Sequence, residues 1–226
     1  MNRMLKLLMR MGLPLMMLIT GGLPLLAGAI HAAADRGDVA NVVMMLRDDS
    51  TLIESRDEEG MTPLHYAALN GRDDLVRMLI ERRANLNAID AGGQSAIHYA
   101  VIFHNTDAVR LLIDAGASPD MADTGGRTPL HLAAMNGFGD IMVVLIGSGA
   151  RVNLRDGGGQ TPLCRAATYG QKIGVMVLLA AHADPDIADD LGMTPLAMAR
   201  AGHFSEVEAM LIRGGAREMP VATRFE

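Results

Sequence analysis

At 226 residues, half of them apolar, the chain is long enough to bury a substantial core, while a formal charge of -6 leaves no general basic surface for a phosphate backbone. Cys164 is the only cysteine, which excludes an intrachain disulfide and a multi-cysteine zinc site. With no tryptophan, three tyrosines and four phenylalanines, packing falls to aliphatic side chains and eighteen methionines.

The chain opens on Arg3, Lys6 and Arg10, and no Asp, Glu, Lys or Arg follows between Met11 and Ala34. A basic start, an apolar run and the small-x-small set Ala27-Gly28-Ala29 form the three parts of a secretory signal, so 1–29 is expected to be removed and the mature chain to begin IHAAADRGD. A retained inner-membrane anchor is the alternative, because about 20 apolar residues span a bilayer. Basic residues ahead of the apolar run place the rest of the chain outside the cytoplasm under both readings, periplasmic or secreted.

From Asp57 a pattern recurs at Asp90, Asp123, Asp156 and Asp189, an interval of 33 residues. In each copy the opening Asp and the Gly three places on (Gly60, Gly93, Gly126, Gly159, Gly192) suit a tight turn. Thr62, Ser95, Thr128, Thr161 or Thr194 then caps a short helix, and Pro in most copies fits its first turn. A second helix follows, with Leu75, Val76, Leu79 and Ile80 as its apolar stripe in the first full copy. Gly116, Gly149 and Gly215 suit left-handed helix ends, and Arg83 and His182 at the same place predict strain. Gly174 stands where Leu75, Ala108 and Ile141 stand elsewhere and predicts looser packing.

The runs TPLHYAA (62–68), TPLHLAA (128–134) and TPLCRAA (161–167), with the divergent SAIHYA and TPLAMA, make the chain resemble the ankyrin-repeat family, and short exported bacterial members in particular. The resemblance implies an all-α repeat solenoid of stacked helix-turn-helix units with β-hairpin tips. Its units are an N-terminal capping partial repeat (30–56), full repeats at 57–89, 90–122, 123–155 and 156–188, a C-terminal repeat (189–219) and a tail (220–226). It also implies a non-enzymatic adaptor, monomeric, that holds a protein or peptide on its hairpin tips and concave first-helix face. Carried onto this chain, the contact positions include Met61, Leu69, Phe103, Arg127, Met135, Gln160, Tyr169 and Met193. Leu69, Phe103 and Met135 have the alternative of packing between neighbouring first helices, and Arg127, Arg155 and Arg165 point to a local basic region. A secreted effector acting on host proteins is the alternative function.

Catalytic and metal chemistry find little support. His31, His65, His98 and His131 lie about one repeat apart, and helices packed roughly 8–10 Å apart do not bring such residues onto one ion. An internal histidine bonding the turn or the capping Thr is expected, with Cys164 a neutral substitute in the same series. AGGQ (91–94) and GGGQ (157–160) lack the Lys-Ser/Thr ending of a phosphate loop. No cofactor, metal or nucleic-acid partner is expected.

Overall fold

In the computed structural model, residues 22–217 are described, so most of the expected signal segment and the tail 220–226 lie outside the described residues. The described residues form six helix pairs. They are α1 (Gly22–Arg36) with α2 (Val39–Asp48), α3 (Pro63–Leu69) with α4 (Asp73–Glu81), and α5 (Ala96–Ile102) with α6 (Thr106–Asp114). Then follow α7 (Pro129–Asn136) with α8 (Gly139–Gly147), α9 (Pro162–Thr168) with α10 (Lys172–Ala180), and α11 (Pro195–Ala201) with α12 (Ser205–Arg213). A short 3-10 turn, Ser50–Glu54, leads from the first pair into the repeats.

Local sequence accounts for each pair. A Thr or Ser with extended backbone precedes every first helix from α3 onward, and Pro occupies the first turn of α3, α7, α9 and α11, where no intrahelical acceptor awaits an amide. The first helices are seven or eight residues long and too short to stand alone. Their alanines, Ala67 and Ala68 in α3 and Ala166 and Ala167 in α9, are buried and let neighbouring backbones approach closely. The second helices bury one stripe each: Leu75, Val76 and Leu79 in α4, and Val175 and Leu178 in α10. First helices pack on first helices and second on second, so one apolar core runs from Ile30 to Leu211.

The expected β-hairpin tips do not form. Among the described residues there is no β-strand, only an isolated antiparallel bridge between Ile89 and Ser95. The tips are tight turns instead. In each, the Asp amide donates to the carbonyl four residues on, from Asp57 to Met61 through Asp189 to Met193, at 2.9–3.1 Å. Successive tips are joined by one backbone bond apiece, Ala91 to Glu59, Thr124 to Gly92, Gly157 to Gly125 and Asp190 to Gly158. The next residues already enter the helix cap, so the arms are too short for the successive pairings of a ladder. The architecture is an all-α helical repeat solenoid with turns along one edge.

Gly126 shows why these turns require glycine: its φ is +74°, and a Cβ there would stand 2.5 Å from the Gly157 amide nitrogen of the next tip. Arg83 and His182 are left-handed, with φ of 62° and 59°, as the pattern predicts. His104 and His203 are left-handed too, replacing the glycines that join paired helices at Gly71, Gly137 and Gly170. At the C-terminal end Glu208 is half-buried and accepts from Arg200 Nε at 2.7 Å, which suits a wet outer face.

Gly174 does not loosen the fourth full repeat. It is buried, and a Cβ there would lie 3.2 Å from both the Ala134 carbonyl oxygen and the Ala166 Cβ. The absent side chain is filled by closer approach of α10 to α7 and α9. Gly174→Leu therefore overpacks the site and lowers the unfolding free energy by about 1–3 kcal/mol in a denaturant titration, where an unfilled cavity would give a gain.

Candidate functional site

The turn edge is built around the repeat-opening aspartates. Oδ1 of each accepts two amides, two and four residues ahead, at 2.8–3.1 Å. Oδ2 takes a partner that changes from repeat to repeat. Tyr66 Oη donates to Asp57 at 2.7 Å, Tyr99 to Asp90, Arg127 Nε to Asp123 at 2.8 Å, and Arg165 Nε to Asp156 at 2.7 Å. Gln160 Nε2 reaches Asp189 in the following repeat at 3.3 Å. Burial pushes the Asp123 and Asp156 carboxyls up, but the arginine beside each and the turn amides outweigh it and hold both below the usual carboxylate range. Tyr66 is pushed up to about 12 by burial and by its hydrogen bond to Asp57.

Behind the turns run the histidines. The amides of Thr62, Ser95 and Thr128 donate to Nδ1 of His65, His98 and His131 at 3.0–3.1 Å. With Nδ1 accepting, the proton sits on Nε2, which donates to the carbonyls of Gln94, Arg127 and Gln160 in the next repeat. Each imidazole thus ties a helix cap to the following turn while neutral. Burial lowers the pKa of all three below the ordinary histidine range. Cys164 takes this place in the next repeat, its Sγ donating to Ile187 at 3.5 Å, and burial raises its thiol. His31 Nε2 donates to the Ser55 carbonyl at 3.0 Å, while its buried Nδ1 has no partner, because α1 continues through the residues that form a cap elsewhere. Among the described residues no three His, Cys, Asp or Glu side chains gather at metal-ligand spacing.

The contact positions read from the sequence separate into two sets. Phe103 and Tyr169 are 53% and 51% exposed, each at the C-terminal cap of a first helix, α5 and α9. Asn136 occupies the equivalent place in the repeat between them and is exposed as well. Met61 is buried at 7% exposure and offers little surface. Met135 and Met193 are half-buried against the core, Leu69 is half-buried, and Gln160 is engaged with Asp189. The expected basic region does not exist as free charge. Arg127 pairs with Asp123, Arg155 with Asp190 and Arg165 with Asp156, each at 2.5–2.7 Å. The tyrosine and arginine partners of the turn aspartates escape a sequence reading; their only signal is a Tyr or Arg nine residues after Asp57, Asp90 and Asp156, and an Arg four residues after Asp123.

A family model of ankyrin repeats in three copies matches residues 85–156 and 139–218, and one of ankyrin repeats in many copies matches 45–100. The chain belongs to the ankyrin-repeat family. An ankyrin repeat domain from Acinetobacter baumannii AYE, known from its crystal structure, is 33% identical with a TM-score of 0.76, over 84% of this chain and 98% of that one. Curated relatives match over shorter stretches: the serine/threonine-protein kinase VIK of Arabidopsis thaliana is 44% identical over 55 residues, 24% of this chain and 13% of that protein. Ankyrin repeat domain-containing protein 49 of Bos taurus is 41% identical over 56 residues, 25% of this chain and 24% of that protein. The matched stretches therefore span less than a quarter of each of these curated proteins.

The histidine links make ankyrin-repeat stability depend on pH. Folded values lie below unfolded ones, so stability present above about pH 6.5 is lost as pH falls through the folded values and the unfolded chain takes up protons first. Urea midpoints should be level at neutral pH and drop below that point. His98→Ala leaves the Ser95 amide and Arg127 carbonyl unmet, costs about 1–3 kcal/mol at neutral pH, and flattens the acid-side drop.

Proposed function

We propose that this ankyrin-repeat chain is a non-enzymatic module that binds a protein or peptide across its first-helix face, outside the cytoplasm. The observation that carries the binding reading is the pair Phe103 and Tyr169, large aromatic side chains held half-exposed on the first helices α5 and α9, with a polar Asn136 on α7 between them. The buried Asp, His and Thr groups behind them are already engaged with the scaffold, whereas these rings have no packing role that removes them from water. Aromatic anchors with polar neighbours supply the large contact area and low ordering cost on which interfaces depend. We place Leu69, Arg127, Met135, Gln160 and Met193 at the rim of this strip, while buried Met61 offers it little surface.

The export reading is supported by the basic start and apolar run before Ala29, and by the helix that removal of 1–29 would leave. Ile30–Arg36 is seven residues long, the length of α3, α5, α9 and α11. Ala27-Gly28-Ala29 lies within α1 in the full chain, so processing precedes docking of α1 onto α3. Among the described residues no helix is long and apolar enough to cross a membrane.

Two measurements test these readings. The double variant Phe103→Ala with Tyr169→Ala should keep the circular dichroism spectrum and unfolding midpoint of the native chain, yet lose at least about tenfold in affinity for the protein captured from the exported fraction. Unchanged affinity removes the strip as the binding surface. N-terminal sequencing of the exported protein should begin at Ile30; an intact Met1 would point instead to the retained anchor.

A further inference from the structure

The outward positions of the second helices follow a pattern that two helices break. They hold Asp74, Arg77 and Glu81 on α4, and Asp107, Arg110 and Asp114 on α6. On α8 the same places hold Asp140, Val143 and Gly147, on α10 Ile173, Met176 and Ala180, and on α12 Glu206, Ala209 and Arg213. Val143, Ile173 and Met176 are 60%, 54% and 55% exposed. A single exposed aliphatic side chain is ordinary, whereas three on adjacent helices form a patch. Ile173 also displaces the acid that every other full repeat places in the first turn of this helix, where a negative charge favours the helix dipole.

The patch borders an open groove of about 520 Å³ between the starts of α6, α8 and α10, lined by Arg110, Phe138, Gly139, Val143, Ile173 and Val177 among others. Gly139 opens it. The equivalent residues are Asp73, Thr106, Lys172 and Ser205, and a Cβ on Gly139 would overlap Ile173 Cγ2. The charges at the groove are unequally committed. Asp140 is met on both oxygens, by His104 Nε2 at 3.0 Å and Thr106 Oγ1 at 2.6 Å, and His104 stacks on Phe138 with ring centroids 4.0 Å apart. These bonds and the nearby positive end of α8 outweigh burial and hold Asp140 down at about 2. Arg110 has no ion-pair partner among the described residues. The groove therefore combines an aliphatic floor with one uncommitted guanidinium.

We propose that this outer groove is a second docking surface, distinct from the Phe103 and Tyr169 strip, which takes a short peptide segment of a partner protein presenting aliphatic side chains beside a carboxylate. The aliphatic groups cover Val143, Ile173 and Val177, and the carboxylate pairs with Arg110. A second copy fits less well. Two nine-residue helices about 13 Å long and about 10 Å apart present a few hundred Å² of apolar strip, against about 800 Å² per partner in a stable interface.

The test is selection of short peptides from a random displayed library on the immobilised full chain, followed by titration of the synthesised peptides. Enriched peptides should combine aliphatic residues with Asp or Glu. Their affinity should fall roughly tenfold on Arg110→Gln or on changing the peptide Glu to Gln, and vanish on Ile173→Asp, which restores the acid of the other repeats and leaves folding intact. Phe103→Ala with Tyr169→Ala should leave it unchanged, so this proposal and the first-helix reading fail separately. Selection of no peptide, of peptides lacking an acid, or of peptides that Ile173→Asp still binds overturns it. So does a concentration-dependent dimer in sedimentation, or binding to phosphatidylcholine vesicles, that Ile173→Asp abolishes: the first assigns the face to a second copy and the second to a lipid surface.

Discussion

Every buried backbone group at the turn edge must find a partner, and this requirement governs the structure more tightly than the apolar contacts do. Burial of Leu, Ile, Val and Ala supplies the driving force for stacking, but it is nearly indifferent to small slips between helices. The internal histidines are not. Each Asp gathers two amides of its own turn, and each His joins a cap amide to a carbonyl one repeat ahead. A slip of one residue would break the histidine links, which span repeats, while the aspartates hold the shape of the turns that receive them, so polar geometry sets the register that hydrophobic burial stabilises.

The same requirement decides what is left for function. Residues that invite a chemical reading, the histidines at one-repeat intervals, the cysteine in their series and the arginines at the turns, are engaged in closing the scaffold. His65, His98 and His131 are held neutral, and the arginines face carboxylates of their own repeat or of a later one. Function then falls to positions where the repeat tolerates variation. In a stack these positions form rows, so a binding surface is assembled by substitutions in several repeats.

Two such rows stand out, one on the first helices around Phe103 and Tyr169 and one on the second helices around Val143, Ile173 and Met176. They differ in chemistry. The first presents rings with polar neighbours, the second a smooth aliphatic floor beside Arg110. The two proposed surfaces lie on different helices, so occupation of one leaves the other uncovered.

Much of the architecture was legible in the residues. The interval of Asp57, Asp90, Asp123, Asp156 and Asp189, the capping Thr and Pro, and the apolar stripe of Leu75, Val76 and Leu79 determine helix pairs and their stacking, because they are local signals repeated at a constant spacing. The internal role of the histidines and the strain at Arg83 and His182 followed from the same spacing. What only the tertiary structure decided depends on distances between repeats. The tips lack strands because one backbone bond joins each to the next; Gly174 marks a close approach because the Ala134 carbonyl lies against it; Met61 turns inward; Arg127, Arg155 and Arg165 are paired. The outer groove belongs to this second group too, since Gly139 and Ile173 lie far apart on the chain and meet only when α8 and α10 pack side by side. A periodic sequence specifies the unit and its spacing, while the surface between units is set by which side chains the packing brings within a few ångströms.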